Sequence, residues 1–391
     1  MDTNEKSLAL HKEKKGKISV ESKVAINTRE DLALAYTPGV AEPCRKIAED
    51  VTEAYTYTSK GNLVAIVTDG TAVLGLGDIG PEAAMPVMEG KAILFKEFAD
   101  VDAFPISLDT KDVDEIIRTV RYLAPTFGGI NLEDISSPRC FEIEKQLDAL
   151  LSIPVFHDDQ HGTAIVVVAG ILNSLRLVGK RIEDIKVVLN GPGAAGTAII
   201  NMLMEMGIEK AVICDEYGIL AENREAPMDE HKKILAQKSN PQNVNGDLSD
   251  AMKGADVFIG VSVGGIVTKE MVQLMNDDAI IFAMANPVPE IMYEEAKEAG
   301  ARIVGTGRSD FPNQINNVLA FPGIFKGALS VRATTINKEM KVAAAQAIAD
   351  MISEEELSEE YIIPDALNKA VAEQVTQYVA QAARDTGVSS I

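Results

Sequence analysis

Short apolar runs alternate along this chain with longer stretches whose apolar positions recur at helical spacing. LVAIVTD (63–69) reads as a strand, and GTAVLGLGDIG as a glycine-rich turn with an extended return. Pro81 to Phe98 reads as a long helix, with Met85, Met88, Ile93 and Phe95 among its apolar positions and Lys91 within it. VDAFPISLD, GGINLED and IPVFHDD follow as strands, separated by helices over 113–127 and 137–151. The second of these is expected to be capped by Ser137, with Pro138 at its first position. Gly162 to Leu177 is an apolar helix. Strands and helices alternating at this spacing predict right-handed βαβ units and parallel sheets.

The most informative stretch begins at Ile185. Ile185 to Leu189 is a β-branched run, Gly191, Gly193 and Gly196 follow, and an apolar helix runs to Met206. Ala211 to Cys214 is the next strand and Asp215 stands at its end. In a dinucleotide-binding unit the first glycine permits a tight turn and the second admits a pyrophosphate. The third packs helix on strand, and the helix N-terminus faces the phosphates. Gly191, Gly193, Ala194, Ala195, Gly196 and Asp215 are the candidate cofactor residues. Asp215 would hold the ribose hydroxyls, and Glu216 and Tyr217 beside it offer no cation for a 2′-phosphate, which favours NAD over NADP. ADVFIGVS, AIIFAMAN and ARIVGTG continue this unit as strands, with helices at TKEMVQLM and EIMYEEAKEAG between them. Helices at about 338–353 and 364–385 close the chain, and the polar residues 1–30 are expected to wrap or pair with something.

Acids mark the strand ends: Asp109, then Glu133 and Asp134, then Asp158 and Asp159. Ligands in parallel sheets bind off the carboxyl ends of the strands, so these acids would face one crevice. A single acid there reads equally well as a helix cap or solvated rim. HDDQHG (157–162) admits an imidazole-based zinc site or a carboxylate site for Mg²⁺ or Mn²⁺. With Glu133 and Asp134 as partners the hard cation is favoured, leaving His157 and His161 to packing or to support of the ligands. A base for a substrate hydroxyl is needed beside a nicotinamide cofactor. Lys91 is a candidate, its pKa lowered by burial and a metal, although Lys96 has equal claim by pattern alone.

Composition narrows the class. The chain has 391 residues, 46% apolar and 5% aromatic with no Trp, which suits an Ala/Val/Ile-rich α/β protein of two domains. Net charge is −22, which disfavours nucleic acid or an anionic membrane as partner. Cys44, Cys140 and Cys214 are few and scattered, as in reduced thiols of a cytosolic protein. The longest apolar run, Ala164 to Leu172, is short for a membrane span, and no signal peptide is visible, so the expected location is the cytoplasm.

The blocks AYTPGVAEPC, VTDGTAVLGLGDIG, GKAILFK, GGINLEDIS, PVFHDDQHGTA, NGPGAAG, ANPVPE and PNQINNVLAFPG, in this order, resemble the malic enzymes of the short bacterial type. The resemblance covers nearly the whole chain. It implies a doubly wound Rossmann-type nucleotide domain with a smaller α/β substrate domain, usually dimeric or higher. It divides the chain into a substrate and metal domain over 1–161, an NAD-binding domain over 162–330, and C-terminal helices over 331–391 packing back on the first. It implies Tyr36 as catalytic acid, Lys91 as base, Asp158 as the acid holding the lysine, and Glu133, Asp134 and Asp159 as ligands of Mg²⁺ or Mn²⁺. Asn286 and Asn317, with Asn316 adjacent, match substrate-binding positions, and Asn286 also adjoins the cofactor site. The implied reaction is oxidative decarboxylation of L-malate to pyruvate and CO₂ with NAD, or NADP. The alternatives are a malolactic conversion with retained NAD and a nucleotide-binding regulatory protein without turnover. One departure stands out: larger members carry an arginine for the malate carboxylate where this chain has Ala72.

Overall fold

The structure is a computed structural model and describes residues 2–391. Two parallel sheets carry the chain. The first joins β1 (Leu63–Thr68), β2 (Asp102–Ser107), β3 (Gly129–Leu132) and β4 (Val155–His157) in the order β2-β1-β3-β4. The second joins β5 (Lys186–Asn190), β6 (Lys210–Asp215), β7 (Gly218–Ile219), β8 (Val257–Gly260), β9 (Ile280–Ala283) and β10 (Ile303–Thr306) in the order β10-β9-β8-β5-β6-β7. Only β7, against β6, is antiparallel. Central strands such as β5 and β8 are buried along nearly their whole length because helices cover both faces, which is why they read as unbroken apolar runs.

Each sheet reverses its winding beside its first strand: β1 has β2 on one side and β3 on the other, and β5 has β6 and β8. Such reversals open a crevice at the strands' carboxyl ends. The helix Asp158–Val178 links the two sheets and packs against the helices Ala194–Glu205 and Lys338–Ala349. It is long and apolar enough to cross a membrane, the one such helix among the described residues, yet two thirds of its apolar window is buried in the core. Phe95, Phe156, Phe321 and Phe325 interlock in that core, joining the helix Pro81–Ala99 to Phe321–Ser330. The closing helix Ala370–Asp385 packs on Phe321–Ser330 and Lys338–Ala349.

Several boundaries differ from the sequence reading. The strand expected over 153–159 ends at His157, and Asp158 and Asp159 form the first turn of the helix Asp158–Val178. A helix N-terminus favours carboxylates, so two acids start a helix there rather than extend a strand. The expected break at 161/162 therefore falls inside one continuous helix. Ser137 does not cap the next helix: Ser137-Pro138 is cis, Pro138 takes the cap position, and the helix is Arg139–Leu150. Residues 2–16 lie along the protein as the helix Thr3–Lys14 and a turn. Like those residues, the segment 18–58 has no fully buried residue.

Candidate active site

Lys91 lies within the helix Pro81–Ala99 and is 7% exposed. Its Nζ is 2.5 Å from Asp158 Oδ2 and 2.8 Å from Glu133 Oε1, and it sits 4.2 Å over the Phe321 ring. Lys96, on the same helix, is an exposed partner of Asp100 and Asp102, which separates the two lysines. Burial alone would depress the Lys91 pKa, but the charges and hydrogen bonds of Asp158 and Glu133 outweigh it and hold the pKa above the ordinary lysine range. Asp158 also accepts from Asn317 Nδ2, and its own carboxyl is pushed up to about 6, chiefly by burial.

Glu133 and Asp134 follow β3, and Asp159 lies one residue past Asp158. One carboxylate oxygen from each of Glu133, Asp134 and Asp159 falls within 4.8 Å of the others. Glu133 is oriented by Asn131, whose Nδ2 donates to Oε2 at 2.8 Å. Asp134 adopts φ 53°, and its backbone N–H donates to Asp159 Oδ2 at 2.8 Å. Burial and the neighbouring carboxylates push Asp134 up to about 9, and its Oδ2 is buried without a hydrogen-bond partner. Three buried or half-buried oxygens converging in this way, one of them orphaned, fit a hard divalent cation. Asp109 is exposed and does not join them. His157 is buried 3.8 Å from Asp159 Oδ2, and His161 pairs with Glu144, away from the three carboxylates.

The nucleotide wall stands opposite. Gly191 has φ 106°, and a Cβ there would stand 2.6 Å from Val261 O. A Cβ on Gly196 would meet Gly191 O at 2.0 Å, whereas one on Gly193 would meet open space, the place a pyrophosphate would take. Ala194, Ala195, Val261, Ser262, Asn286, Asn316 and Asn317 line the same cleft as Lys91, Glu133, Asp134 and Asp159, a volume of about 1010 Å³. Asn316 also uses its Oδ1 to cap Val318. The two crevices thus face each other across one cleft.

Residues 14–148 match the family described as malic enzyme, N-terminal domain, and residues 160–384 match malic enzyme, NAD binding domain. The chain belongs to the malic enzyme family. It is 61% identical over 391 residues to a bifunctional malic/malolactic enzyme of Bacillus subtilis (strain 168), covering 100% of this chain and 95% of that protein. An NAD-dependent malic enzyme of Geobacillus stearothermophilus is 60% identical, covering 96% and 78%. The crystal structure of an NAD-dependent malic enzyme from Thermotoga maritima superposes with a TM-score of 0.93 at 52% identity, covering 96% of this chain and 98% of that one. The α/β architecture with a Rossmann-type nucleotide sheet is that of the family.

Two expected site residues stand elsewhere than the malic enzyme reading places them. Tyr36, at the end of the helix Arg29–Ala35, is 67% exposed and does not line the cleft of its own chain. Asp215 has no free oxygen for a ribose: it accepts from Tyr217 N, from both Arg224 terminal nitrogens and from Lys232 Nζ. Glu216 and Tyr217 bring no cation to Asp215, but Arg224 and Lys232, 9 and 17 residues on in sequence, fold back onto it. Gly162 and Arg139 also escaped the sequence reading. Gly162 leaves room for Asp158, and Arg139 ties Thr71, Ser136 and the Lys111 carbonyl around the turn that follows β1. The four-residue spacing of Gly162 from Asp158 puts the two on one face of their helix, whereas Arg139 left no local signal.

Proposed function

We propose that this chain catalyses oxidative decarboxylation of L-malate to pyruvate and CO₂ with reduction of NAD, and of NADP less readily. The observation that carries the proposal is the union in one cleft of Lys91, a three-carboxylate cluster and a glycine-rich nucleotide loop. Glu133, Asp134 and Asp159 would hold Mg²⁺ or Mn²⁺, which when bound supplies Lewis-acid polarisation of the substrate's C2 oxygen.

The remaining steps fall to the chain. Lys91 is an ammonium while both Asp158 and Glu133 face it, and committing Glu133 to coordination leaves it with Asp158 alone. Its hold on the proton then weakens, and it can accept the C2 hydroxyl proton as hydride leaves for the nicotinamide. Asn317, fixed on Asp158, and Asn286, on the far wall, are positioned to orient the carboxylates. Tyr36, through its phenolic O–H, returns a proton to C3 after CO₂ departs.

Tyr36 can do so only from a second copy. The segment that bears it exposes Val20, Val24, Ile26, Leu34, Tyr36 and Val51, and none of its residues is fully buried. A homodimer in which each arm lies over its partner's cleft covers these residues and brings the phenol to Lys91. The reading keeps 1–161 as the substrate and metal part, 162–330 as the nucleotide part and 331–391 as the closing helices, in a cytoplasmic enzyme.

A malolactic outcome uses the same residues, and the B. subtilis relative is named for both activities. An assay of L-malate with Mn²⁺ in NAD, then NADP, decides. NADH and pyruvate support the proposal; lactate without NADH favours the malolactic reading; no product defeats both.

A further inference from the structure

The substrate class imposes a charge problem on this cleft. Four carboxylates, of Glu133, Asp134, Asp158 and Asp159, surround one ammonium, that of Lys91, which is already shared between two of them. Even a bound dication leaves negative charge in excess, and a 2-hydroxy dicarboxylate adds two more. Its C1 carboxylate can chelate the dication, but the carboxylate at the other end needs a cation of its own. Ala72, on the cleft wall, offers none.

The cationic side chains lining the cleft, among the described residues, are Lys91, Lys17 and, when protonated, His11. Lys17 Nζ donates to Pro86 O at 2.6 Å, and among the described residues no carboxylate lies within ion-pair distance of it. The ammonium stands 3.5 Å from the position a Cβ on Gly90 would take, directly before Lys91 on the same helix. It is also held in place. Lys17 N–H donates to Glu89 Oε2 at 2.7 Å, and Gly16, at φ 101°, lets the turn close onto that carboxylate. His11 lines the same wall with a covered Nε2 that has no hydrogen-bond partner.

We propose that Lys17 binds the substrate carboxylate that the metal ligands do not reach, so that the N-terminal turn sets the preference for dicarboxylates. The proposal rests on the malate reading above. Burial lowers the Lys17 pKa and nearby Glu89 opposes it, a balance that an arriving carboxylate tips toward the charged form.

The test compares wild type, Lys17→Met and Lys17→Arg in Mn²⁺ and saturating NAD, with oxalate as a competitive inhibitor. Oxalate chelates the metal through both carboxylates and leaves nothing for Lys17. Loss of a charged hydrogen bond predicts a rise in malate KM of about 10–100-fold in Lys17→Met with kcat changed far less. Lys17→Arg should recover most of it, and the oxalate inhibition constant should stay within about threefold. An unchanged malate KM in Lys17→Met overturns the Lys17 assignment alone, as does an equal loss for malate and oxalate. No malate turnover by wild type overturns the malate reading and the proposal with it.

Discussion

Gly162 exists to leave room for Asp158: a Cβ at residue 162 would stand 1.8 Å from Asp158 Oδ1. Asp158 is fully buried, and its other oxygen takes Lys91 and Asn317. Gly162→Ala should therefore displace the carboxylate that holds Lys91. We expect kcat to fall by roughly 10²-fold or more, with a loss of stability of about 1–3 kcal/mol for overpacking. Kinetics alongside thermal denaturation check this, and wild-type kcat in the variant would refute it.

Lys91→Ala should cost about 10²–10⁴ in kcat, the range for loss of general acid–base help. Nucleotide affinity should be nearly unchanged, because the glycine loop belongs to the other sheet. Fluorescence titration with NADH reads the second quantity independently of the first. Near-normal malate oxidation would remove Lys91 from the role of base.

Tyr36→Phe and Lys91→Ala, each inactive alone, should complement when mixed after subunit exchange. A mixed dimer has one cleft that combines the intact lysine of one chain with the intact phenol of the other, so about a quarter of wild-type activity should return. Failure to complement in a mixture shown to contain mixed dimers would place Tyr36 outside the partner's cleft.

Asp134 should make the metal-free protein sensitive to alkali. Its folded pKa, about 9, is raised far above the usual carboxylate value, first by burial and then by Asp159 and Glu133. A group raised on folding contributes stability below its unfolded pKa and loses it as pH rises through the folded one. In chelator, Tm should therefore fall between about pH 5 and 9, and Mn²⁺ should restore it most at the alkaline end, releasing protons as it binds. Asp134→Asn should flatten the chelator curve. Parallel curves with and without Mn²⁺ would count against this site.

Cofactor choice should be less strict than Asp215 alone suggests. Arg224 and Lys232 neutralise that acid and place two cations beside it at the end of β6. Discrimination of NAD over NADP should be below about 10²-fold in kcat/KM, and Lys232→Ala should widen it by weakening NADP more than NAD. Equal losses for the two cofactors would show that Lys232 does not meet the 2′-phosphate.

Local pattern alone determined the sheets, the glycine loop and the identity of the acids. Buried parallel strands must be unbroken apolar runs, and a phosphate-binding turn must have glycine where Gly191 and Gly196 would otherwise collide with backbone. Lys91 was readable as a candidate but not separable from Lys96, because burial depends on which face of the helix Pro81–Ala99 meets Phe321. Its charge state was not readable at all: it comes from Asp158 and Glu133, respectively 67 and 42 residues further along the chain. The same holds for Asp215, whose oxygens are taken by Arg224 and Lys232, and for Lys17, carried to the cleft by a turn clamped on Glu89. Strand and helix are set by short-range periodicity, whereas a pKa or a free ammonium is set by whatever the fold places within a few ångströms, and that only the tertiary structure decides.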